Sequence, residues 1–473
     1  MDVGVLARVL ARVLARSWLA FVVVASAGCE QRSERVELGQ AAASPTEAPH
    51  EDPSPTMERW SDDWLVAQAP LYLDDPGFRR KALEASLTSH DNIYARTRLG
   101  SYGLQSAGWD MLPQWVPRQR VVDAQLVDSL RRGEGLELTG MKPIWDGVRP
   151  SDYAGWVALG RAVFHRYPLR PEMSARYALL HPEVAADVGL REAKDGTWPG
   201  VVAFADIDGS AQIGITCALC HVGFDGQSAI VGQARRDLDY GRMLLAYHEE
   251  TGVPLSPELA QRMASWGPGR ADITQDDDED PVAIVDLWHL RNNRFLTQAA
   301  TLTHEHPAAL AIRQETQILH TNLERTRPPR ELAWALAMFL YSIEPPRSQV
   351  AAVSVSAERG RAQFERRCSR CHSDANGGGA PLDARTVGTD ARLAFGRARG
   401  TGLYRPSPLI RVAEAAPYLH DGTLASLEDL LGEARLRPDY EHVGGIGAVV
   451  GHRYGTTLAP GERTDLIDYL RTL

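Results

Sequence analysis

The sequence has little cysteine, little methionine and no excess of basic charge. It contains five cysteines and eight methionines in 473 residues, and its formal net charge is −10. The acidic balance disfavours binding to nucleic acid. At this length, with 44% hydrophobic residues, the chain is expected to form a large soluble protein of two to three domains.

Four of the five cysteines occur in two short motifs, each with a histidine directly behind the second cysteine. ITCALCHVG holds Cys217, Cys220 and His221, and FERRCSRCHS repeats the pattern. Histidine occupies 14 of 473 positions, so chance accounts poorly for a histidine behind both pairs. Zinc sites and covalently attached haem both use paired cysteines at this spacing, whereas a redox dithiol needs the pair alone.

The order of residues favours covalent haem. One helical turn places two sulfurs to form thioethers with the two vinyl groups of a c-type haem, and the next side chain then lies under the iron. Cys217 and Cys220 would tether one haem and His221 would ligate it. A second haem would use Cys368, Cys371 and His372. The alternative is one four-cysteine zinc site built from both pairs, which leaves the histidines unexplained.

The fifth cysteine, Cys29, follows a basic region, the apolar run WLAFVVVASAG and a group of small residues. The run is too short to span a membrane, and its layout is that of a secretory signal over residues 1–28. The Ala-Gly-Cys ending resembles a bacterial lipoprotein signal, which implies acylation of Cys29, and Glu30 then permits transfer to the outer membrane. A plain signal peptide cut near Gly28 is the alternative. Either signal predicts export to the periplasm.

The fold is predicted to be mainly α, with two cytochrome c-like helical domains and an N-terminal mixed extension. After a disordered linker at 29–59 come the extension at 60–150, a first haem domain with insertions at 151–345 and a second at 346–473. Gly160 and Phe164 are four residues apart on one helical face, and Gly360 and Phe364 repeat the pair. The last segment, GERTDLIDYLRTL, is predicted to be a helix that crosses the Gly360 face.

The block Ala416-Pro417-Tyr418-Leu419-His420-Asp421-Gly422, together with GHRYGTTLAPGERTDLIDYL and the haem motifs, resembles the bacterial di-haem cytochrome c peroxidase superfamily. Relatives in that superfamily include the methylamine dehydrogenase maturation enzyme and rubber oxygenases. The resemblance implies two helical cytochrome c domains that face each other, with one haem reacting with an oxidant and the other relaying electrons. It covers roughly the last two thirds of the chain.

The chain departs from the peroxidase pattern at several functional positions. The family's inter-haem tryptophan is missing from its usual run, and Trp288 is either a replacement or a core residue. Glu305 is a candidate for the catalytic glutamate or part of a surface loop. Met243 is a candidate sixth ligand of the first haem or a core residue. The acidic run DDDED at 276–280 is a possible calcium site, but a solvated loop is the preferred interpretation.

The second haem cannot use methionine from its own domain, because Met338 is the last methionine in the chain. The peroxidases place their methionine ligand about fourteen residues after the histidine of the Pro-Tyr block, and that position here is Ala434. We predict His420 as the sixth ligand, because Pro417 and Gly422 can fix the loop that carries it and the resemblance to the rubber oxygenases implies a histidine of this block. The alternatives are that His420 only lines the pocket, or that the ligand is one of His442, His452 and Tyr440.

The predicted function is electron transfer through two covalent haems, with a redox partner protein or a small oxidant as partner. The alternative is a peroxidase or oxygenase that reduces hydrogen peroxide or activates dioxygen at the first haem. A haem protein that senses or scaffolds is the third class, since haem motifs define redox chemistry but not the substrate.

Overall fold

The computed structural model describes residues 57–272, 280–346 and 354–473. The predicted signal segment, Cys29, nearly all of the predicted linker and residues 276–279 of the acidic run lie outside the described residues. Everything described belongs to one compact unit, Asp52–Leu473. Within the described ranges, no helix combines the length and apolarity needed to cross a membrane.

Helices dominate the described residues. In chain order the α-helices are α1 Asp62–Asp74, α2 Pro76–Ser86, α3 Ile93–Ser101, α4 Ala124–Arg131, α5 Tyr153–Arg166, α6 Met173–Leu180, α7 Pro182–Asp187, α8 Ala218–His221, α9 Tyr240–Thr251, α10 Pro257–Trp266, α11 Pro307–Thr321, α12 Arg330–Tyr341, α13 Val355–Arg367, α14 Ala384–Val387, α15 Arg392–Phe395, α16 Leu427–Leu431 and α17 Pro460–Leu470.

The strands are short, apart from three members of one sheet. In chain order they are β1 Arg118–Asp123, β2 Lys142–Pro143, β3 Arg170–Pro171, β4 Thr197–Ala205, β5 Ala211–Ile215, β6 Val222–Asp225, β7 Ser228–Val231, β8 Arg270–Ala271, β9 Val282–Ala283, β10 Phe295–Leu296, β11 Leu302–Thr303, β12 Leu382–Asp383, β13 Leu403–Tyr404, β14 Glu441–His442 and β15 Gly445–Ile446. The prediction of a mainly α protein is therefore confirmed at the level of secondary structure.

Two helix pairs have the same crossing geometry. Ser354 caps the N-terminus of helix α13, because its side chain accepts a hydrogen bond from the backbone N–H of Ala357. Helix α13 packs across α17. A Cβ on Gly360 would overlap the carbonyl oxygen of Asp465, so only glycine lets these backbones meet. Phe364 packs on Tyr469 at a ring-centroid distance of 5.4 Å and an interplanar angle of 55°. The predicted crossing of the last helix over Gly360 is confirmed.

Helices α5 and α12 repeat this arrangement in the other half of the unit. A Cβ on Gly160 would overlap the carbonyl oxygen of Ala335. Phe164 packs on Phe339 at 5.2 Å and 57°. The Gly–Phe pair thus identifies two equivalent crossings, and α12 is the partner helix that sequence patterns left unassigned.

A five-stranded sheet with the order β2-β1-β4-β5-β3 combines two strands that precede α5 with three that lie between α5 and the first cysteine motif. All its pairings are antiparallel, and the longest register joins Val201–Ala205 with Ala211–Ile215. Because β1 and β2 precede residue 150 and β3 to β5 follow it, this sheet joins the extension to the first haem region. The domain boundaries themselves stay a prediction.

Substitution of Gly360 with alanine should lower the free energy of unfolding by about 3 kcal/mol, because the added methyl must push α13 and α17 apart. Guanidinium titration followed by circular dichroism measures this loss. Gly461→Ala is the matched control in α17, where the new methyl meets no atom within 4 Å. It should raise stability by up to about 1 kcal/mol through helix propensity. Equal losses in both variants would contradict the crossing.

Candidate haem sites

The first cysteine motif is one helical turn at the end of β5. His221 donates its backbone N–H to the carbonyl of Cys217 at 3.3 Å, which brings the two cysteines and the histidine onto one turn. Strand β4 lies directly behind, since a Cβ on Gly200, at φ +90°, would overlap Leu219. The sheet therefore holds the motif in place.

The second motif has the same turn at the end of α13. The N–H of His372 donates to the carbonyl of Cys368 at 3.0 Å, and that of Cys371 to the same carbonyl at 3.1 Å. Gly379 lies against the carbonyl of Cys371, where a Cβ would not fit. The two motifs are thus alike in structure as well as in sequence.

Both motif histidines bind a backbone carbonyl through Nδ1. His221 Nδ1 lies 3.1 Å from the carbonyl oxygen of Val285, and His372 Nδ1 lies 2.6 Å from that of Gly377. A carbonyl only accepts, so Nδ1 carries the hydrogen and Nε2 keeps its lone pair. Burial lowers the pKa of His221 to about 4 and also lowers the pKa of His372. Each imidazole is therefore neutral at pH 7 and ready to bind iron through Nε2.

The cysteines do not meet as one zinc site. All four are free thiols, and no group of three or more Cys, His, Asp or Glu side chains in the described residues could hold one metal ion. Burial raises the pKa of Cys217 to about 12 and that of Cys220 to about 11.

A cluster of buried arginines lies beside the first motif. The guanidinium groups of Arg98 and Arg399 lie 3.4 and 5.6 Å from the ring centroid of Tyr94, and the charge of Arg313 lowers the pKa of both Arg98 and Arg399. Burial is the largest cause of both shifts and lowers the pKa of Arg399 to about 10. Arg313 also acts on Cys217 and His221.

This arginine cluster fits an anionic group. Arg98 donates to the hydroxyl of Thr316 and the carbonyl of Tyr94. The charges of Glu324 and Asp272 raise the pKa of Arg98 and Arg399 respectively, but burial outweighs them and both values are lowered. Buried cations that repel one another are stabilised by an anion between them. Haem carries two carboxylates, so the residues around Cys217 fit the group that the motif implies. No sequence spacing revealed the cluster, because Arg98, Arg313 and Arg399 are far apart along the chain.

His420, the predicted sixth ligand of the second haem, lies against Tyr404. Its Nε2 is 3.1 Å from the Tyr404 hydroxyl, which itself donates to the carbonyl of Asp390 at 2.7 Å. Nε2 therefore donates to Tyr404, and the buried Nδ1 has no partner. Burial is the main cause that lowers the pKa of His420, and the charges that act on it come from Asp421, Asp390, Arg392 and Arg270.

His452 lies close to the second motif. Burial lowers the pKa of His452 to about 4, and the charge of His372 contributes to this shift as the second cause. Its Nδ1 is buried without a partner. The fully buried Arg435 donates to the carbonyls of Val449, Gly451 and His452 and so holds the loop. A neutral imidazole whose pKa responds to the charge of His372 is a candidate axial ligand of the second haem.

The two remaining candidates are engaged elsewhere. His442 Nδ1 accepts from the N–H of Gly444 at 3.0 Å, which leaves the hydrogen on Nε2 of the neutral ring. The Tyr440 hydroxyl forms a hydrogen bond with Asp429. Burial is the larger cause of the raised pKa of Tyr440, and this hydrogen bond raises the pKa further.

The other predicted site residues are placed as follows. Trp288 is buried, with Nε1 3.5 Å from the carbonyl of Val231 and the guanidinium of Arg411 5.8 Å from its ring. Met243 is fully buried in the apolar cluster that Cys220 borders. Glu305 is exposed, as expected if it is part of a surface loop and not a catalytic glutamate. Of the acidic run only Asp280 is described, and it is buried.

Comparisons with known proteins add little to this geometry. No protein-family model matches the chain, and no curated protein does. Among solved structures, a MauG-like protein associated with microbial copper homeostasis matches 44% of this chain and 77% of its own, with 18% identity and a TM-score of 0.30. A likeness at this TM-score leaves the chemistry to be argued from the residues themselves.

Proposed function

We propose that this chain is an exported di-haem c-type cytochrome that transfers electrons between a redox partner and a second acceptor. The observation that supports the proposal is the repeated site. Two Cys-x-x-Cys-His turns each place an imidazole Nδ1 against a backbone carbonyl, that of Val285 for His221 and that of Gly377 for His372.

The chain's own residues would do the following work. Cys217 and Cys220 would tether the first haem and His221 would bind its iron, while Arg98 and Arg399 would balance the charge of its carboxylates. The second haem would be held by Cys368, Cys371 and His372, with His452 as a further ligand in preference to His420. Each bound haem supplies a one-electron iron centre whose potential depends on its axial ligands and burial.

A peroxidase or oxygenase function at the first haem is the second candidate. Trp288 favours it, because this indole contacts both the strand pair that follows His221 and Arg411 of the second haem region. Its neighbour Gly232 donates its N–H to the carbonyl of His221 at 2.9 Å. A tryptophan between the two regions is suited to carry an electron from one haem to the other.

Spin resonance and peroxide turnover of the purified oxidised protein distinguish these functions. Electron transfer alone predicts two low-spin haems and hydrogen peroxide consumption no faster than that of a simple cytochrome c. A peroxidase predicts a high-spin first haem and catalytic consumption that falls at least about tenfold in Trp288→Phe. A protein without haem absorption would contradict both.

For localisation, we propose that Cys29 is acylated and tethers the protein to the outer membrane. A lipid chain on one cysteine, with a second anchoring signal, gives stable membrane attachment. Cys29→Ser should therefore move the protein from the membrane fraction to the soluble periplasmic fraction, as measured by fractionation and immunoblotting. If the parent protein is already soluble there, the anchor is wrong and the plain signal peptide stands.

A further inference from the structure

Tyr341 and His304 form a buried hydrogen-bonded pair outside both haem motifs. Tyr341 ends α12 and is 2% exposed, and His304 is 4% exposed. The Tyr341 hydroxyl lies 2.6 Å from His304 Nε2, and His304 Nδ1 lies 2.7 Å from the carbonyl oxygen of Asn293. The two rings stack at 5.6 Å and 25°.

The direction of these hydrogen bonds is determined by chemistry. The Asn293 carbonyl accepts only, so His304 Nδ1 donates and Nε2 accepts the hydroxyl hydrogen of Tyr341. Burial lowers the pKa of His304 to about 4, and it raises that of Tyr341 well above its usual value. The phenol therefore does not ionise alone at pH 7, and it lies against a neutral base that can take its proton.

We propose that Tyr341 and His304 form a proton-coupled electron relay that serves the second haem region. With hydrogen peroxide as the oxidant at the first haem, the second haem would take one electron from Tyr341, and the hydroxyl proton of Tyr341 would move to His304 Nε2. The products are a neutral tyrosyl radical and an imidazolium. The reverse step returns the proton when a small one-electron donor reduces the radical. The acceptor side of this relay rests on the peroxidase candidate under the proposed function.

A short chain of bonds links the pair to the second motif. The side-chain amide of Asn376 donates to the side-chain oxygen of Asn293 at 2.8 Å. Asn376 precedes Gly377, whose carbonyl binds His372 Nδ1 at 2.6 Å. Hydrogen bonds and covalent segments therefore run from the Tyr341 hydroxyl to the motif histidine.

A surface depression adjoins the buried pair. Tyr341 lines a surface depression of about 310 Å³ together with Tyr153, Arg291 and His289. Trp60 from the N-terminal extension lies with its ring 5.0 Å from His304 and 5.8 Å from Tyr341. A small donor in the depression would therefore approach the phenol without entering the haem regions.

Nearby tyrosines lack the same proton acceptor. Tyr153 lines the depression too, but its hydroxyl donates to the carbonyl of Met338 at 3.1 Å, and a carbonyl does not take up the proton. Tyr72 and Tyr102 both donate to one oxygen of the buried Glu315 at 2.7 Å. They form the competing site that the experiment has to separate.

The test is photochemical oxidation of the full-length holoprotein, with a ruthenium polypyridyl sensitiser and persulfate as the electron acceptor. Samples are frozen after the flash and measured by electron spin resonance. We expect a radical signal that narrows when the protein is made with ring-deuterated tyrosine. It should fall at least about tenfold in Tyr341→Phe and in His304→Gln, because a positioned base accelerates proton transfer by roughly a hundredfold or more. Tyr153→Phe is the matched control and should keep the signal.

Retained haem absorption and helical circular dichroism identify variants that have folded. A signal that survives in Tyr341→Phe and disappears in Tyr72→Phe would overturn the relay, and so would a signal that deuterated tyrosine does not narrow.

Hydrogen peroxide in place of the flash tests the link to haem. We expect the same radical in the parent and at least about a tenfold smaller one in Asn376→Leu, while the flash signal of that variant stays at the parent level. A flash signal without any peroxide signal would overturn the haem as acceptor, together with the peroxidase candidate, and would leave the Tyr341–His304 chemistry standing.

Discussion

Replacing Cys217 and Cys220 with serine should give a protein that carries one covalent haem instead of two. The two thioethers of the first site need both sulfurs, and His221 alone would hold haem only by a reversible bond to iron. Mass spectrometry of protein made in a host with haem-attachment machinery measures the change. The parent should show two haem additions, and the double variant should show one.

Matched variants separate this loss from general damage. Replacing Cys368 and Cys371 with serine should instead remove the second haem and keep the first. The absorption spectra of the two double variants should then sum to that of the parent. Cys29→Ser should keep both haems. A parent protein that contains zinc and no haem would contradict the interpretation of both motifs.

Local patterns predicted the parts of the molecule that depend on short spacings. The Cys-x-x-Cys-His turns form because one helical turn closes over five residues, from Cys217 to His221. The crossing at Gly360 was also predictable, because only glycine permits two helix backbones to come so close. Its equivalence with the Gly160 crossing explains why the same Gly–Phe pair occurs twice.

Long-range contacts could not be predicted from such patterns. The partner of Gly160 is Ala335 in α12, some 175 positions further along, and nothing in either helix alone specifies that pairing. The sheet that precedes the first motif combines strands from both sides of residue 150, where sequence composition indicated a boundary. The arginine cluster depends on three distant segments that converge at Tyr94.

The sixth ligand of the second haem shows the same division. His420 was chosen because it lies in the block that carries the family resemblance, and it stays a prediction. The charge and hydrogen-bond partners of each ring are tertiary properties, and they favour His452. One local signal was available, since His452 follows Gly451, whose φ of +88° needs glycine for the loop to bend at that point.

His452→Ala should convert one low-spin haem signal to high-spin, because the variant would remove the imidazole proposed as axial ligand and leave the iron with an open position. Because the axial ligands tune the potential of a haem, loss of His452 should also shift the potential of that haem. Spin resonance of the oxidised protein and a redox titration measure the two effects. Added imidazole should restore the low-spin signal in the variant.

His420→Ala is the matched control, since it also removes a buried imidazole with an unpartnered Nδ1 but one that contacts Tyr404 instead of the second motif. This variant should keep both haem signals at their parent positions. The opposite result, with conversion in His420→Ala and no change in His452→Ala, would establish the ligand predicted from sequence. Unchanged spectra in both variants would remove both histidines from the iron and move the ligand to His442 or Tyr440, each of which would first have to break the hydrogen bond that now holds it.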